Sequence, residues 1–196
     1  MKDKEPYPQA QARQVYRFRA ALRYRPGLWR RIEIQGGQTL ADFDAVLRKA
    51  FRHDTGDHLS GFWRLVRQGT GPRFREIHLG DIDPFGEGSG ADLHIAGVGL
   101  KPGDALKYVY DFGDWVEHQI VLEEVIEPEP KAKYPRIVEQ SKPRYHACQG
   151  CKSKGRKAVA TWICVDCSND QQQNVRICEA CLEAEHEDHH AEEIVY

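Results

Sequence analysis

The sequence predicts an α+β fold: a two-layer domain with a mixed or antiparallel sheet and one main helix, followed by a small cysteine-rich C-terminal module. Three observations carry this expectation. Several segments between residues 15 and 125 alternate apolar and polar residues, one stretch at 39–51 has helical periodicity, and all six cysteines fall after residue 147. Strand, strand, helix and then further strands is the order of an α+β layer, not the regular βαβ alternation of a nucleotide-binding fold.

Residues 1–13 read as a flexible tail. They are polar and lack the apolar run of a secretory signal, and no later stretch approaches the roughly 18 to 20 apolar residues of a membrane span. A cytoplasmic protein without a membrane partner is therefore expected. From Val15 the chain alternates, with Tyr16, Phe18, Ala20, Leu22 and Tyr24 on one side and Arg17, Arg19, Arg23 and Arg25 on the other, which is a half-buried strand. Pro26-Gly27 supplies a turn into a second strand, Leu28 to Ile34. After Gly36-Gly37, Thr39 caps a helix in which Leu40, Phe43, Val46, Leu47, Ala50 and Phe51 recur at helical spacing, with Asp42 and Asp44 in its first turns. Further strands are expected at Phe62 to Arg67, Phe74 to Leu79, Leu106 to Asp111 and Trp115 to Val125. This first domain spans 14–137. The Pro-rich, weakly periodic stretch that follows leads through a linker at 138–145 to a module at 146–196.

The net charge of −2 gives no global reason to expect nucleic acid. The charge is unevenly distributed: residues 1–78 carry 16 Lys and Arg against 8 acids, and the other 118 carry 12 against 22. The row Arg17, Arg19, Arg23 and Arg25 is either a solvated strand face or a polyanion surface, and a basic face also discourages edge aggregation.

The cysteines come as Cys148-Gln-Gly-Cys151, Cys164-Val-Asp-Cys167 and Cys178-Glu-Ala-Cys181, followed by His186-Glu-Asp-His189-His190. Each Cys-x2-Cys pair can aim two thiolates at one tetrahedral ion, and eight ligands fill two closed four-coordinate sites, so two structural zinc ions are expected. Thiols confined to one region suit a metal site in a reducing compartment better than a disulfide framework. The order of the pairs predicts a cross-brace, with Cys148, Cys151, Cys178 and Cys181 on one ion and Cys164, Cys167, His186 and His189 on the other. His190 is the alternative to His189, and sequential pairing is the alternative topology. Interleaved sites tie together the two halves of a module too short to bury much of a core.

These residues resemble a ZZ-type zinc finger: Trp162-Ile163-Cys164 places an aromatic residue just ahead of the second pair, and His186-Glu-Asp-His189 supplies the terminal His-x2-His. The link from Ser168 to Ile177 departs from that family, being longer and glutamine-rich with Asp170 as its one acid. The resemblance therefore implies the scaffold and a protein or peptide partner, without that family's recognition acids. Further upstream, Lys101-Pro-Gly-Asp104, Tyr108-Val-Tyr-Asp-Phe-Gly-Asp114 and His118 resemble the plasmid pRi open-reading-frame-three-like family, also met as insertion-element passenger (TnpR-like) proteins. Leu28-Trp29-Arg30-Arg31, Asp57-His58-Leu59 and Tyr134-Pro135-Arg136 fall in the same order. That resemblance implies an α+β fold and an association with plasmid or mobile-element DNA, and brings no reaction with it.

Three functional expectations follow. The first is a non-enzymatic binding or adaptor protein with structural zinc. The second is a nucleic-acid-binding accessory protein of a mobile element, using the arginine row. The third is an enzyme with a site around His58, Asp111, Asp114 and His118, whose residue types can exchange protons or bind a divalent ion. The alternation puts His118 on one face with Val116, Ile120 and Leu122. That placement favours a buried, hydrogen-bonded histidine partnered by Asp111 or Asp114. No Gly-rich phosphate loop and no Ser/His/Asp or Cys/His signature is present. Oligomeric state is not legible in the sequence.

Overall fold

A computed structural model describes residues 7–53, 56–69, 71 and 73–196 of the chain. It divides into two compact units, Met1–Ser141 and Lys142–Tyr196. The expected tail lies outside the described residues at 1–6. From Tyr7 onward it is held: the buried Tyr7 donates from its hydroxyl to, or accepts at it from, His94 Nδ1 at 2.7 Å, and Gln9–Arg13 form a short helix, α1. The amides of Gly36 and Gly37 donate to the carbonyls of Gln14 and Ala12, each at 2.8 Å. A Cβ on Gly36 would stand 2.1 Å from the Gln11 carbonyl oxygen, so this junction requires glycine.

The first unit is a seven-stranded sheet in the order β4-β3-β5-β6-β1-β2-β7, antiparallel at every pairing. The strands are β1 (Val15–Leu22), β2 (Arg25–Gln35), β3 (Ser60–Arg67), β4 (Phe74–Ile82), β5 (Ala105–Tyr110), β6 (Val116–Ile126) and β7 (Arg136–Gln140). The β1–β2 turn falls at Arg23-Tyr24, three residues before the expected Pro26-Gly27. The register shifts between Ala21 and Leu22, and the Pro-Gly pair lies inside β2 at that irregularity. β7 sits where a connection was expected, and the 138–145 linker expectation begins inside it. Its side chains are mostly exposed and it pairs only with β2, so as an edge strand it needs no apolar alternation, and Pro135 precedes it without breaking a ladder.

Helix α2 (Leu40–Phe51) is the main helix. Thr39 caps it through a reciprocal box: its hydroxyl accepts from the Asp42 amide at 3.2 Å and the Asp42 carboxylate accepts from the Thr39 amide at 2.9 Å, an arrangement worth about 1 kcal/mol. Phe43, from the apolar stripe of α2, stacks between Phe18 of β1 and Phe62 of β3, with ring centroids 4.9 and 5.8 Å away, and Phe62 meets Tyr108 of β5 at 4.8 Å. Asp44, expected as a first-turn acid, is instead buried under the helix. It accepts from Arg48 Nε at 2.7 Å, from the Ser60 hydroxyl at 2.6 Å and from the Tyr108 hydroxyl at 2.7 Å. Every polar atom of that carboxylate is thereby answered, which burial of a charge demands.

The second unit carries short elements: α3 (Gln149–Ser153), β8 (Trp162–Cys164), α4 (Val165–Gln171), β9 (Val175–Ile177), α5 (Glu179–Glu185) and β10 (Ala191–Glu193). Its three strands form an antiparallel sheet in the order β10-β8-β9. The buried cluster is Cys148, Cys151, Ala160, Cys164, Val175, Ile177, Cys181 and Ile194, so half of its members are thiols and the other half are aliphatic. No described helix is long and apolar enough to cross a membrane.

Candidate metal centres

Each cysteine pair straddles the start of a short helix. Cys148, Cys164 and Cys178 occupy the N-cap positions of α3, α4 and α5, and Cys151, Cys167 and Cys181 follow in the first turns. This is the position where backbone N–H groups lack helical partners, and residues three apart lie on the same side. Cys148 Sγ accepts from the amides of Cys151 at 3.3 Å and Cys178 at 3.2 Å. His186 ends α5, and His189 lies in the turn before β10.

Among the described residues the donors gather into two groups. One is Cys148, Cys151, Cys178 and Cys181; the other is Cys164, Cys167, His186 and His189. In each group the ligand atoms lie within 4.8 Å of one another. The interleaved grouping is the geometry of a cross-brace. His190 stands outside it: its amide donates to Asp166 at 2.9 Å and its carbonyl accepts from the Val165 amide at 2.8 Å, while the ring belongs to neither group.

The spacing fits a tetrahedral ion. Four sulfurs at the usual zinc–sulfur distance of ~2.3 Å stand about 3.8 Å apart, far beyond the ~2.05 Å of a disulfide. Cys148–Cys181, Cys151–Cys178 and Cys151–Cys181 are each separated by 3.7 Å between sulfurs. In the second group both imidazoles present Nδ1. His189 Nδ1 lies 3.3 Å from each of Cys164 and Cys167, His186 Nδ1 lies 3.4 Å from Cys167, and the two nitrogens are 3.2 Å apart. Nitrogen needs a shorter bond of ~2.0–2.1 Å, and the closer edges follow from that.

Electrostatics supports the same reading. Burial opposes a thiolate at Cys148, but the two amide donors outweigh it and bring its pKa down to about 7. Cys181 is pushed up to about 12 by burial and the surrounding sulfurs, and Cys167 up to about 11 by burial and by Cys164. Crowded sulfurs cannot all ionise on their own, so each group calls for a cation, and a divalent ion fits both donor sets. All six cysteines are free thiols.

The other expected site residues do not converge. His58 Nδ1 pairs with Asp111 Oδ2 at 3.0 Å, where Asp111 has left-handed backbone (φ 54°) at the β5–β6 turn. His118 is fully buried, as its alternation predicts, but its partner is a histidine: His118 Nε2 lies 3.0 Å from His53 Nε2. Asp114 is exposed and bonded to neither pair. His53 carried no sequence signal, because it follows the helix terminus at Arg52 and breaks no periodicity. Burial lowers the pKa of His118 to about 3, with His53 adding to the effect; burial, then Arg48, lowers that of His53 to about 4.

Two of the four arginines in the row, Arg17 and Arg23, are paired with acids. Arg17 faces Glu33 across β2 and Glu124 across β6 and pairs with both. Arg23 lies 3.6 Å from Glu117, and Arg19 donates to the Pro26 carbonyl at 3.3 Å with its guanidinium over Trp29. Arg25 lies at the start of β2 beside the turn. Sequence reasoning saw the basic face but not the acids opposite it, which come from strands up to about a hundred residues away.

The chain matches the family described as plasmid pRiA4b ORF-3-like protein over residues 14–153. It belongs to that family. The plasmid pRiA4b ORF-3-like match runs beyond the first unit into α3 and takes in Cys148 and Cys151, while the remaining cysteines and both histidines follow it. Among solved structures, a protein of unknown function from Methanosarcina mazei Go1 is 21% identical, with 65% of this chain and 68% of that one covered and a TM-score of 0.48. No curated protein matches.

Proposed function

We propose that this plasmid pRiA4b ORF-3-like protein is a non-enzymatic binding or adaptor protein whose second unit is held in shape by two zinc ions. The observation that carries the reading is the closure of both donor groups: four sulfurs in one, two sulfurs and two imidazole nitrogens in the other. A four-coordinate ion with four protein ligands has no position left for a substrate or an activated water, which is the arrangement of structural zinc. Thiolate and imidazole are soft and borderline donors, which favour zinc over the oxygen-seeking magnesium or calcium. Six free thiols support a reducing, cytoplasmic setting.

The scaffold is of the ZZ type. Trp162 opens β8 just ahead of Cys164, and the His-x2-His pair closes the second group. With His58, Asp114 and His118 not brought together and Arg17 and Arg23 of the arginine row paired with carboxylates, a protein or peptide is the partner class best supported. Elemental analysis of the purified chain tests the metal: two zinc per chain are expected, and a folded metal-free protein refutes the reading.

A further inference from the structure

The second unit is electrically split. Residues 140–165 hold six Lys and Arg and no acid, whereas residues 166–196 hold nine Asp and Glu against one Arg. The basic end surrounds a cleft of about 590 Å³, inside the ~300–1,000 Å³ range of ligand clefts. Its lining combines the aliphatic Ala147, Ala158 and Val159, the rings of Tyr145 and His146, and the cations Lys152, Arg156 and Lys157. Tyr145 is 64% exposed and Val159 45%, which is unusual for large apolar side chains flanking one depression. Lys154 is paired with Glu185, but Lys152, Arg156 and Lys157 form no ion pair among the described residues.

The walls are fixed by the first donor group. The Cys148 amide donates to the Ala158 carbonyl, the Ala160 amide to the His146 carbonyl and the Arg156 amide to the Cys151 carbonyl, each at 2.8 Å. Tyr196 adds a clasp: its hydroxyl donates to the Ala160 carbonyl at 2.7 Å and accepts from the His146 amide at 3.2 Å. The cleft is thus formed before any ligand arrives, and it rests on the metal reading above because two of its anchors are ligand cysteines.

We infer that this cleft binds an acidic peptide segment through one large apolar side chain, with carboxylates flanking that residue meeting Lys152, Arg156 and Lys157. Charge complementarity selects the acid, and the aliphatic part of the lining selects the anchor. A single-stranded nucleic acid fits less well. Its bases need flat stacking platforms, whereas the Tyr145 and Tyr196 rings meet at 58° with centroids 4.9 Å apart, leaving no parallel slot.

The test uses the full zinc-loaded chain and a fluorescein-labelled, end-capped peptide, Ser-Glu-Asp-Leu-Phe-Glu-Asp-Ser, in an anisotropy titration. Saturable binding is expected. The pair Arg156→Glu and Lys157→Glu should weaken it at least tenfold, Val159→Asp should do the same, and replacing Leu-Phe by Ala-Ala in the peptide should abolish it. No binding up to millimolar protein overturns the inference. So does equal binding by the variants, or tighter binding of an oligothymidylate that is lost in the same variants. Zinc content measured on the same samples is a separate readout: fewer than two ions per chain overturns the metal reading, while variant-sensitive peptide binding in such a sample leaves the cleft assignment standing.

Discussion

His53 and His118 meet edge to edge through their Nε2 atoms, 3.0 Å apart, beneath the end of α2. Both are held neutral, with pKa values brought down to about 4 and about 3 from 6.5. An unfolded chain binds protons at these positions from pH 6.5 downward, and the folded one does not. Stability from this pair is therefore whole above about pH 6.5 and falls as pH drops toward the folded values, by roughly 1.4 kcal/mol per unit for each fully neutral buried imidazole. Denaturant midpoints measured between pH 7 and 5 should fall in the parent chain. They should fall less in His118→Gln, which cannot take up the proton.

Asp44 is the buried partner of Arg48 in the core, 2.7 Å from its Nε. Asp44→Ala leaves that guanidinium without its carboxylate and should cost about 3–5 kcal/mol, whereas Tyr108→Phe removes one hydrogen bond to Asp44 and should cost about 1–2 kcal/mol. Urea unfolding followed by tryptophan fluorescence ranks the two. Equal losses would mean that the network is not organised around the carboxylate.

The choice between adjacent histidines can be read by metal content. His189→Ala should lower bound zinc from two ions to one, and His190→Ala should leave two, because the His190 ring belongs to neither donor group. Cys164→Ser should behave like His189→Ala and unfold the module. The reverse order of the two histidines would move the ligand to His190.

Glu33 is buried between two arginines, accepting from Arg17 at 2.6 Å and from Arg136 at 2.7 Å. Burial alone would raise its pKa, but the two guanidiniums outweigh that and hold it below the usual carboxylate range. Its stabilisation is present above the unfolded value and is lost as pH falls through the folded one. Glu33→Gln should lower stability by about 2–3 kcal/mol at pH 7, and the deficit should shrink in acid. Glu33 joins β1 to β7 by way of β2, so faster amide exchange at Arg136–Gln140 is the accompanying local sign.

Most of the sheet was legible because its strands bury one face. Tyr16, Phe18, Ala20 and Leu22 alternate as required, and the capping residue Thr39 marks the helix start to within one residue. β7 was not legible, because an edge strand with exposed side chains shows no alternation. The cysteine pairs were readable from spacing alone, since Cys-x2-Cys states its geometry locally, but which pairs gather together was not, and sequential pairing stayed open until the fold grouped the donors. The pairs His53–His118, Asp44–Tyr108 and Arg17–Glu124 were not, because each joins residues more than sixty positions apart and depends on a register that no local pattern encodes.

Along the chain the donors alternate, two for the first centre, two for the second, then two and two again. Neither centre can be completed until the segment holding half of the other has been drawn in. Filling one centre shortens the loop that the other must close, and by reciprocity each raises the affinity of its partner by the same factor. At limiting metal such a chain is biased toward doubly filled molecules over singly filled ones. Its second unit then responds to metal supply more steeply than two independent centres would.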